Sequence, residues 1–270
     1  MNSLANTRVL LTRPDSQVSS LAAKIKAAQG QAASLPLLQI QRIQDPQAIE
    51  RVKASVLSLD NYDLAIFIST NAATLGIEWI DQYWPQLPIG LEAYAVGPGT
   101  AAILQALPWP VHCSSAGVTS EDLLALPGLV DVKGKRIALF RGVGGRELIA
   151  NSLRERGARV DYIELYERST PHYAVEDLIE VFSAIQVNRV VLTSSQILST
   201  FTELLEGLES LKDKEARPLI SLLRNATLIV PSERVRAAAL NSGFKKVVNA
   251  GGADDETVFK VLAQCQSELD

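Results

Sequence analysis

Six short loops carry the residues of this sequence that are best suited to bind a small anion. The loops are residues 12–14, 69–71, 97–100, 141–146, 194–195 and 231–234. All of them contain small, hydroxyl-bearing or glycine residues, and three of them contain arginine. Hydroxyl and backbone N–H groups donate hydrogen bonds to anions, and arginine adds a permanent positive charge. The residue types therefore predict a site that binds an anion through several loops at once.

Short apolar segments precede these loops, and segments of helical periodicity follow them. This alternation is typical of parallel sheets covered by helices. Ligands bind to such sheets beyond the carboxyl ends of the strands, where the first N–H groups of each helix are unpaired and favour an anion. Ordinary helix caps and turns use the same residue types, so a structural role stays open for each loop. Thr119 and Asp122 have capping-box spacing, which favours a structural role for Thr119.

The sequence contains an internal repeat in which four strand-and-helix units recur in the same order. The matching pairs are residues 8–13 and 136–141, 63–70 and 188–194, 92–97 and 226–231, and 111–126 and 247–262. Order, spacing and residue class agree, which predicts an α/β fold with two similar lobes, each a parallel sheet flanked by helices. We expect the binding site in the cleft between the lobes, with residues 35–42 and 166–171 as the crossovers.

The composition of the 270-residue chain excludes several classes of protein. Hydrophobic residues make up 47% and charged residues 21%, an ordinary globular balance, and no apolar run reaches the ~18 residues of a membrane span. A net charge of −4 without a basic run gives no support for a nucleic-acid partner. Cys113 and Cys265 have no partner at metal-ligand spacing, and the polar N-terminus lacks a signal-peptide pattern. We therefore expect a cytoplasmic protein without a metal site.

Two other functions stay open from these residues. Gly97, Gly99 and Ala102 match the G-x-G-x-x-A pattern of dinucleotide binding, but residues 109–115 end without the acidic residue that would bind a ribose. The second alternative is a two-lobed binding module or sensor for small anions. Solute-binding proteins of this plan are exported and regulators usually carry an output domain, whereas the sequence shows neither a signal peptide nor a spare segment.

Seven short motifs follow one another along the chain. They are Leu11-Thr-Arg13-Pro14, Phe67-Ile-Ser69-Thr-Asn71-Ala, Ala95-Val-Gly97-Pro-Gly-Thr100-Ala, Thr119-Ser120-Glu121-Asp-Leu, the segment from Arg141-Gly142 to Gly145-Arg146, Leu165-Tyr166, and Thr193-Ser194-Ser195. In this order they resemble the uroporphyrinogen-III synthase family, and the resemblance covers essentially the whole chain. It implies a monomer with lobes formed by residues 1–38 with 169–270 and by residues 39–168, joined by a two-stranded linker.

The resemblance also implies a reaction. Enzymes of this family are lyases of haem and tetrapyrrole biosynthesis that close the linear tetrapyrrole hydroxymethylbilane, with loss of water and inversion of the last ring, ring D, to give uroporphyrinogen III. The reaction needs no metal or organic cofactor, and the substrate is a polyanion. A transient contact with the upstream hydroxymethylbilane synthase is left open.

Site residues follow from the resemblance by matching position. Tyr166 is the expected catalytic acid, because a phenol is protonated at neutral pH and can donate a proton. Its alternative role is a structural anchor of the crossover. The expected substrate-binding residues are Arg13, Ser69, Thr70, Asn71, Gly97, Thr100, Arg141, Gly142, Arg146, Ser194, Ser195 and Ser232. Beside Ser232, Glu233 brings a carboxylate towards a polyanion, which Arg234 would have to offset.

Overall fold

A computed structural model describes residues 3–14, 19–115, 117, 119–145, 147–210 and 216–267. Within these ranges the chain forms eleven strands and twelve α-helices. The strands are β1 Arg8–Leu11, β2 Gln31–Ser34, β3 Gln39–Arg42, β4 Leu64–Phe67, β5 Glu92–Ala95, β6 Val111–Cys113, β7 Arg136–Gly142, β8 Arg159–Ser169, β9 Arg189–Val191, β10 Thr227–Val230 and β11 Val247–Asn249. The helices are α1 Ser19–Ala27, α2 Pro46–Leu57, α3 Thr70–Tyr83, α4 Pro98–Leu104, α5 Ser120–Leu124, α6 Pro127–Val130, α7 Leu148–Glu155, α8 Val175–Ile185, α9 Ser195–Ser210, α10 Ala216–Asn225, α11 Glu233–Asn241 and α12 Asp255–Ser267.

The chain divides into two compact units. Unit 1 combines the residues up to Gln39 with those from Ser169 onward, and unit 2 spans Ile40–Arg168. The chain therefore passes from one unit to the other twice, at the start of β3 and at the end of β8, and these two strands are neighbours in one sheet. No helix in the described part of the chain is long and apolar enough to cross a membrane.

Unit 1 is built on a sheet with the strand order β11-β10-β9-β1-β2, and its neighbouring strands pair in parallel. Alternate residues pack on opposite faces, as the two-residue period of a strand requires. Leu10 and Val190 belong to the core on one face, whereas Val9 and Val191 belong to the core on the other. Burial on both faces explains why these strands read as continuous apolar runs rather than as alternating ones.

Unit 2 is built on a sheet with the order β3-β8-β7-β4-β5-β6. All four residues of β4 are buried. Ala65 and Phe67 face one core and Leu64 and Ile66 face the other, and the Phe67 ring stacks on Phe140 of the adjacent strand at a centroid distance of 4.3 Å. The pairings β4–β5, β4–β7, β5–β6 and β7–β8 are parallel. The carboxyl ends of these strands consequently share one edge of the sheet.

The strand orders confirm the predicted internal repeat. Unit 1 reads β2-β1-β9-β10-β11 and unit 2 reads β8-β7-β4-β5-β6, with β3 added beyond β8. The repeat in the sequence pairs β1 with β7, β9 with β4, β10 with β5 and β11 with β6, and each pair occupies the same place in its sheet. Both units are thus α/β layers of the predicted class, and equivalent loops emerge at equivalent positions.

Candidate functional site

Tyr166 lies three residues before the carboxyl end of β8, where the pairing with β7 changes register. Arg141 pairs with Glu164, but the next residue, Gly142, pairs with Tyr166, which leaves Leu165 as an extra residue on β8. This is a β-bulge, a feature that redirects a side chain at the end of a ladder. The Tyr166 side chain is buried, with 1% of the residue exposed.

Gly142 makes the close packing of the Tyr166 ring possible. A Cβ atom at position 142 would lie 2.5 Å from Cε2 and 2.7 Å from Cζ of Tyr166, which is far inside a normal carbon–carbon contact. The backbone fixes the same arrangement, because the N–H of Val143 donates to the carbonyl oxygen of Tyr166 over 2.8 Å. The Tyr166 ring therefore packs tightly against the start of the glycine-rich loop.

Ser69 connects Tyr166 to the next loop of the unit. It is the N-cap of α3, with extended backbone, and its Oγ accepts a hydrogen bond from the N–H of Ala72 over 3.0 Å. The same Oγ lies 3.0 Å from the hydroxyl of Tyr166, and either group can be the donor. A residue type that is common as a helix cap here also contacts the candidate acid.

Arg141 is buried behind the glycine-rich loop, and its guanidinium binds the loop itself. Nε donates to the carbonyl oxygen of Gly142 over 3.1 Å, Nη1 donates to Oε1 of Glu147 over 3.2 Å, and Nη2 donates to the carbonyl oxygen of Gly144. The guanidinium also lies over the Tyr162 ring, 4.6 Å from its centroid. The predicted role of Arg141 as a carboxylate partner does not fit this position, because its donors are turned inward.

Glu147 and Tyr162 complete this network on its exposed side. The Tyr162 hydroxyl donates to Glu147, and this hydrogen bond, followed by the charge of Arg141, lowers the pKa of the Glu147 carboxyl. Burial, followed by the same hydrogen bond, raises the pKa of Tyr162. Glu147 is thus held as a carboxylate that binds Arg141 and Tyr162 together.

A cavity of about 380 Å³ opens beside Tyr166 at this edge of unit 2. Its lining residues are Ile68, Val96, Thr119, Ser120, Gly142, Val143, Gly144, Gly145, Ile149, Tyr166 and Arg168. Apolar side chains and a few polar groups line it together, as is usual for small-molecule sites. Thr119 forms the predicted capping box with Asp122. Arg168 is absent from the predicted site, although its spacing from Tyr166 could have indicated it, because residues two apart on a strand face the same side.

The starts of α3 and α4 lie next to each other at the same edge. Thr70 is exposed and Asn71 is half-buried. Gly97 is the N-cap of α4, and its carbonyl oxygen accepts from the N–H groups of Thr100 and Ala101. The side chain of Thr100 is buried, which leaves the loop to act through its backbone.

Unit 1 carries the remaining predicted residues on neighbouring strands. Ser194 follows β9 and caps α9, with Oγ accepting from the N–H of Ile197 over 3.2 Å, and Ser195 is the first residue of that helix. Ser232 follows β10 and caps α11 in the same way, accepting from Val235 over 3.4 Å. Each serine therefore has the capping role that its residue type allows.

Arg13 follows β1 at this edge of unit 1. Its Nη1 forms an ion pair with Oδ1 of Asp255 at 2.7 Å, and its buried Nη2 has no hydrogen-bond partner within the described part of the chain. Glu233 pairs with Arg236 at 2.7 Å, so the neighbouring Arg236 offsets its charge. The predicted residue Arg146 lies outside the described residues.

Comparisons with known proteins agree on one family. The family model described as "Uroporphyrinogen-III synthase HemD" matches residues 19–260. A uroporphyrinogen-III synthase from Escherichia coli K12 is 30% identical over 259 residues, covering 94% of this chain and 99% of the relative.

Solved structures show the same fold. A mutant uroporphyrinogen III synthase from the extremely thermophilic bacterium Thermus thermophilus superposes with a TM-score of 0.57 at 17% identity, covering 96% of this chain and 99% of that one. A uroporphyrinogen-III synthetase from Helicobacter pylori 26695 gives a TM-score of 0.56 at 14% identity, and it also covers 96% of this chain and 99% of its own. The chain belongs to the uroporphyrinogen-III synthase family.

Proposed function

We propose that this chain converts hydroxymethylbilane into uroporphyrinogen III, with loss of water and inversion of ring D. Family membership supports the overall reaction. The roles of individual residues rest on one contact: the Tyr166 hydroxyl lies 3.0 Å from Ser69 Oγ, beside the cavity of unit 2. Tyr166 is the proton donor in this proposal, and Ser69 is its hydrogen-bonding partner.

The first step breaks the bond between carbon and oxygen in the hydroxymethyl group. The electron-rich pyrrole supplies the electron pair, and Tyr166 donates a proton to the departing hydroxyl, which leaves as water. The substituted carbon of ring D then attacks the resulting cation and forms a spiro intermediate. The bond between the spiro carbon and the methylene bridge of ring C then breaks, and the released bridge carbon bonds to the unsubstituted α-carbon of ring D. Loss of the proton from that carbon gives the inverted isomer. The lost proton balances the one that Tyr166 supplied.

Ser69 favours this step through the direction of its own hydrogen bonds. Its oxygen accepts from the N–H of Ala72, while its hydroxyl proton can be donated to the Tyr166 oxygen. In that arrangement the phenol proton is available to the substrate. The phenolate that forms is then stabilised by the donated hydrogen bond and by the positive end of α3.

The carboxylates of the substrate require donors from several loops. The proposed set is Arg13, Thr70, Asn71, Gly97, Gly142, Arg146, Ser194, Ser195 and Ser232. Ser69 and Thr100, also expected in this set, instead donate the hydroxyl proton to Tyr166 and the N–H to Gly97 in this proposal. The Nη2 of Arg13, which has no hydrogen-bond partner among the described residues, supports its place in this set. Arg141 has a different role in the proposal, since its guanidinium shapes the loop from Gly142 to Gly145. A cytoplasmic location and a transient contact with hydroxymethylbilane synthase complete the proposal.

The test supplies hydroxymethylbilane, generated in situ, and separates the uroporphyrin isomers after oxidation. Unassisted closure gives the type I isomer, so we expect the protein to shift the product to type III. Tyr166→Phe should slow type III formation by about 100-fold, the lower end of what a general acid contributes, because substrate carboxyls or water can also donate. Type I alone from folded protein would reject the synthase assignment and favour an anion-binding module. An unchanged rate in Tyr166→Phe would reject the tyrosine as the acid.

A further inference from the structure

Among the described residues that line the cavity beside Tyr166, Arg168 is the one with a charged side chain. The two residues are separated by one position on β8, after the bulge, so their side chains face the same side of the strand. Arg168 is exposed, and its side chain forms no ion pair or hydrogen bond with any residue in the described ranges. Its guanidinium is therefore available to a ligand in the cavity.

The contrast with Arg141 supports this role. Arg141 is 1% exposed and uses Nε, Nη1 and Nη2 to bind Gly142, Glu147 and Gly144. Turning it towards a ligand would break these three hydrogen bonds of a buried guanidinium, which is unfavourable. Of the described arginines at this end of unit 2, Arg168 is the one that a substrate can bind without breaking the loop.

We propose that Arg168 binds a carboxylate of the tetrapyrrole and so holds a pyrrole ring in the cavity beside Tyr166. The inference rests on the proposed function. Every ring of that substrate carries an acetate and a propionate, and a guanidinium binds a carboxylate through two parallel hydrogen bonds. Apolar residues of the cavity, Ile68 and Val96 among them, suit the face of a pyrrole ring. Arg168 then fixes the carboxylate at the rim while the ring occupies the cavity.

The experiment compares Arg168→Met and Arg168→Lys with the matched control Arg159→Met in the isomer assay. Arg159 is an exposed arginine at the opposite end of the same strand, so both Met variants remove one positive charge from β8. We expect Arg168→Met to raise KM on the order of tenfold with kcat little changed, because binding is lost equally in the ground and transition states. Arg168→Lys should recover part of the affinity, and Arg159→Met should resemble the wild type.

A salt titration separates a ligand contact from a structural effect. Screening weakens an exposed ion pair, so the ratio of the KM values of Arg168→Met and wild type should fall as ionic strength rises. Equal KM values for Arg168→Met and wild type, or equal increases in both Met variants, would overturn the role of Arg168. Absence of type III product from the wild type itself would instead reject the proposed function, so the two failures are distinguishable.

Discussion

The carboxyl edges of the two sheets use the same cap but differ in what surrounds it. In unit 2, Ser69 follows β4 and caps α3, while in unit 1 Ser194 follows the equivalent strand β9 and caps α9. Only for the first of these serines do the described residues include a second side-chain partner, the hydroxyl of Tyr166. The fold that both units share therefore explains why a serine caps the helix at each place. The contact with Tyr166, which comes from the neighbouring strand β8, is what distinguishes Ser69 from Ser194.

The arginines at equivalent places in the repeat show the same divergence. Arg13 follows β1 and pairs with Asp255, leaving Nη2 without a described partner, whereas Arg141 near the end of β7 gives its donors to its own loop. Pro14 stands where Gly142 stands in the other unit. A glycine is needed only where the ring of Tyr166 packs on the backbone. Duplication thus provides two equivalent loops, and only in the loop that begins at Arg141 does the backbone pack against the ring of Tyr166.

The largest effect is expected from Gly142→Ala, which tests whether this shaping matters. The new methyl group would lie 2.5 Å from the Tyr166 ring, so the ring or the loop must move. We expect type III formation to fall by about 100-fold, the contribution of a general acid, and the free energy of unfolding to fall by about 1–3 kcal/mol from overpacking. Isomer analysis and urea unfolding followed by tryptophan fluorescence measure the two effects, because Trp79, Trp84 and Trp109 all belong to unit 2.

Gly207→Ala is the matched control for this substitution. Gly207 lies in α9, and a Cβ atom there meets no atom within 4 Å. The activity of Gly207→Ala should equal that of the wild type. If Gly142→Ala is equally well tolerated, the packing of Tyr166 on the loop has no catalytic importance, and the contrast between the units is only structural.

A smaller effect is expected from Ser69→Ala, and it separates capping from catalysis. Loss of the cap costs about 1 kcal/mol of stability. Loss of the hydrogen bond to Tyr166 should also lower kcat on the order of tenfold, which corresponds to about 1.4 kcal/mol in the transition state. Asp45→Ala removes a comparable cap, since Asp45 accepts from the N–H of Ala48 at the start of α2. This control should lose stability alone, and Ser194→Ala should lose stability and raise KM. Equal kcat values for Ser69→Ala and Asp45→Ala would contradict a role of Ser69 in the chemistry.

The sequence was sufficient to predict the fold, because its signals are local. Four-residue apolar runs such as β4 and the repeated order of units predict buried parallel strands. Ser69 and Tyr166 could each be named as candidates, Tyr166 through the family resemblance, but their contact could not be predicted. It depends on the bulge at Leu165, which is set by the pairing of β7 with β8 and has no local pattern. The burial of Arg141 could not be predicted either, since it depends on how the following loop folds back onto the guanidinium and on the Tyr162 ring of the adjacent strand.

The smallest effect is expected from Glu147→Gln, and it tests whether a charge network holds the loop in unit 2. The pKa of Glu147 is lowered in the folded chain, chiefly by the Tyr162 hydroxyl and then by Arg141. Because the pKa is lowered on folding, the network stabilises the fold at pH values above about 4.3, the ordinary pKa of a glutamate. This contribution is lost as the pH falls through the lowered pKa of Glu147. Glu147→Gln should therefore have a lower urea midpoint than the wild type at pH 7, and the difference should shrink below about pH 4. Tyr162→Phe, which removes the hydroxyl that lowers the pKa, should show the same dependence in weaker form. The contrary outcome is a difference in urea midpoint between Glu147→Gln and the wild type that stays constant as the pH falls from about 7 to well below about 4. That result would mean that the carboxylate charge does not hold the loop and that Arg141 is fixed by its hydrogen bonds to Gly142 and Gly144 alone.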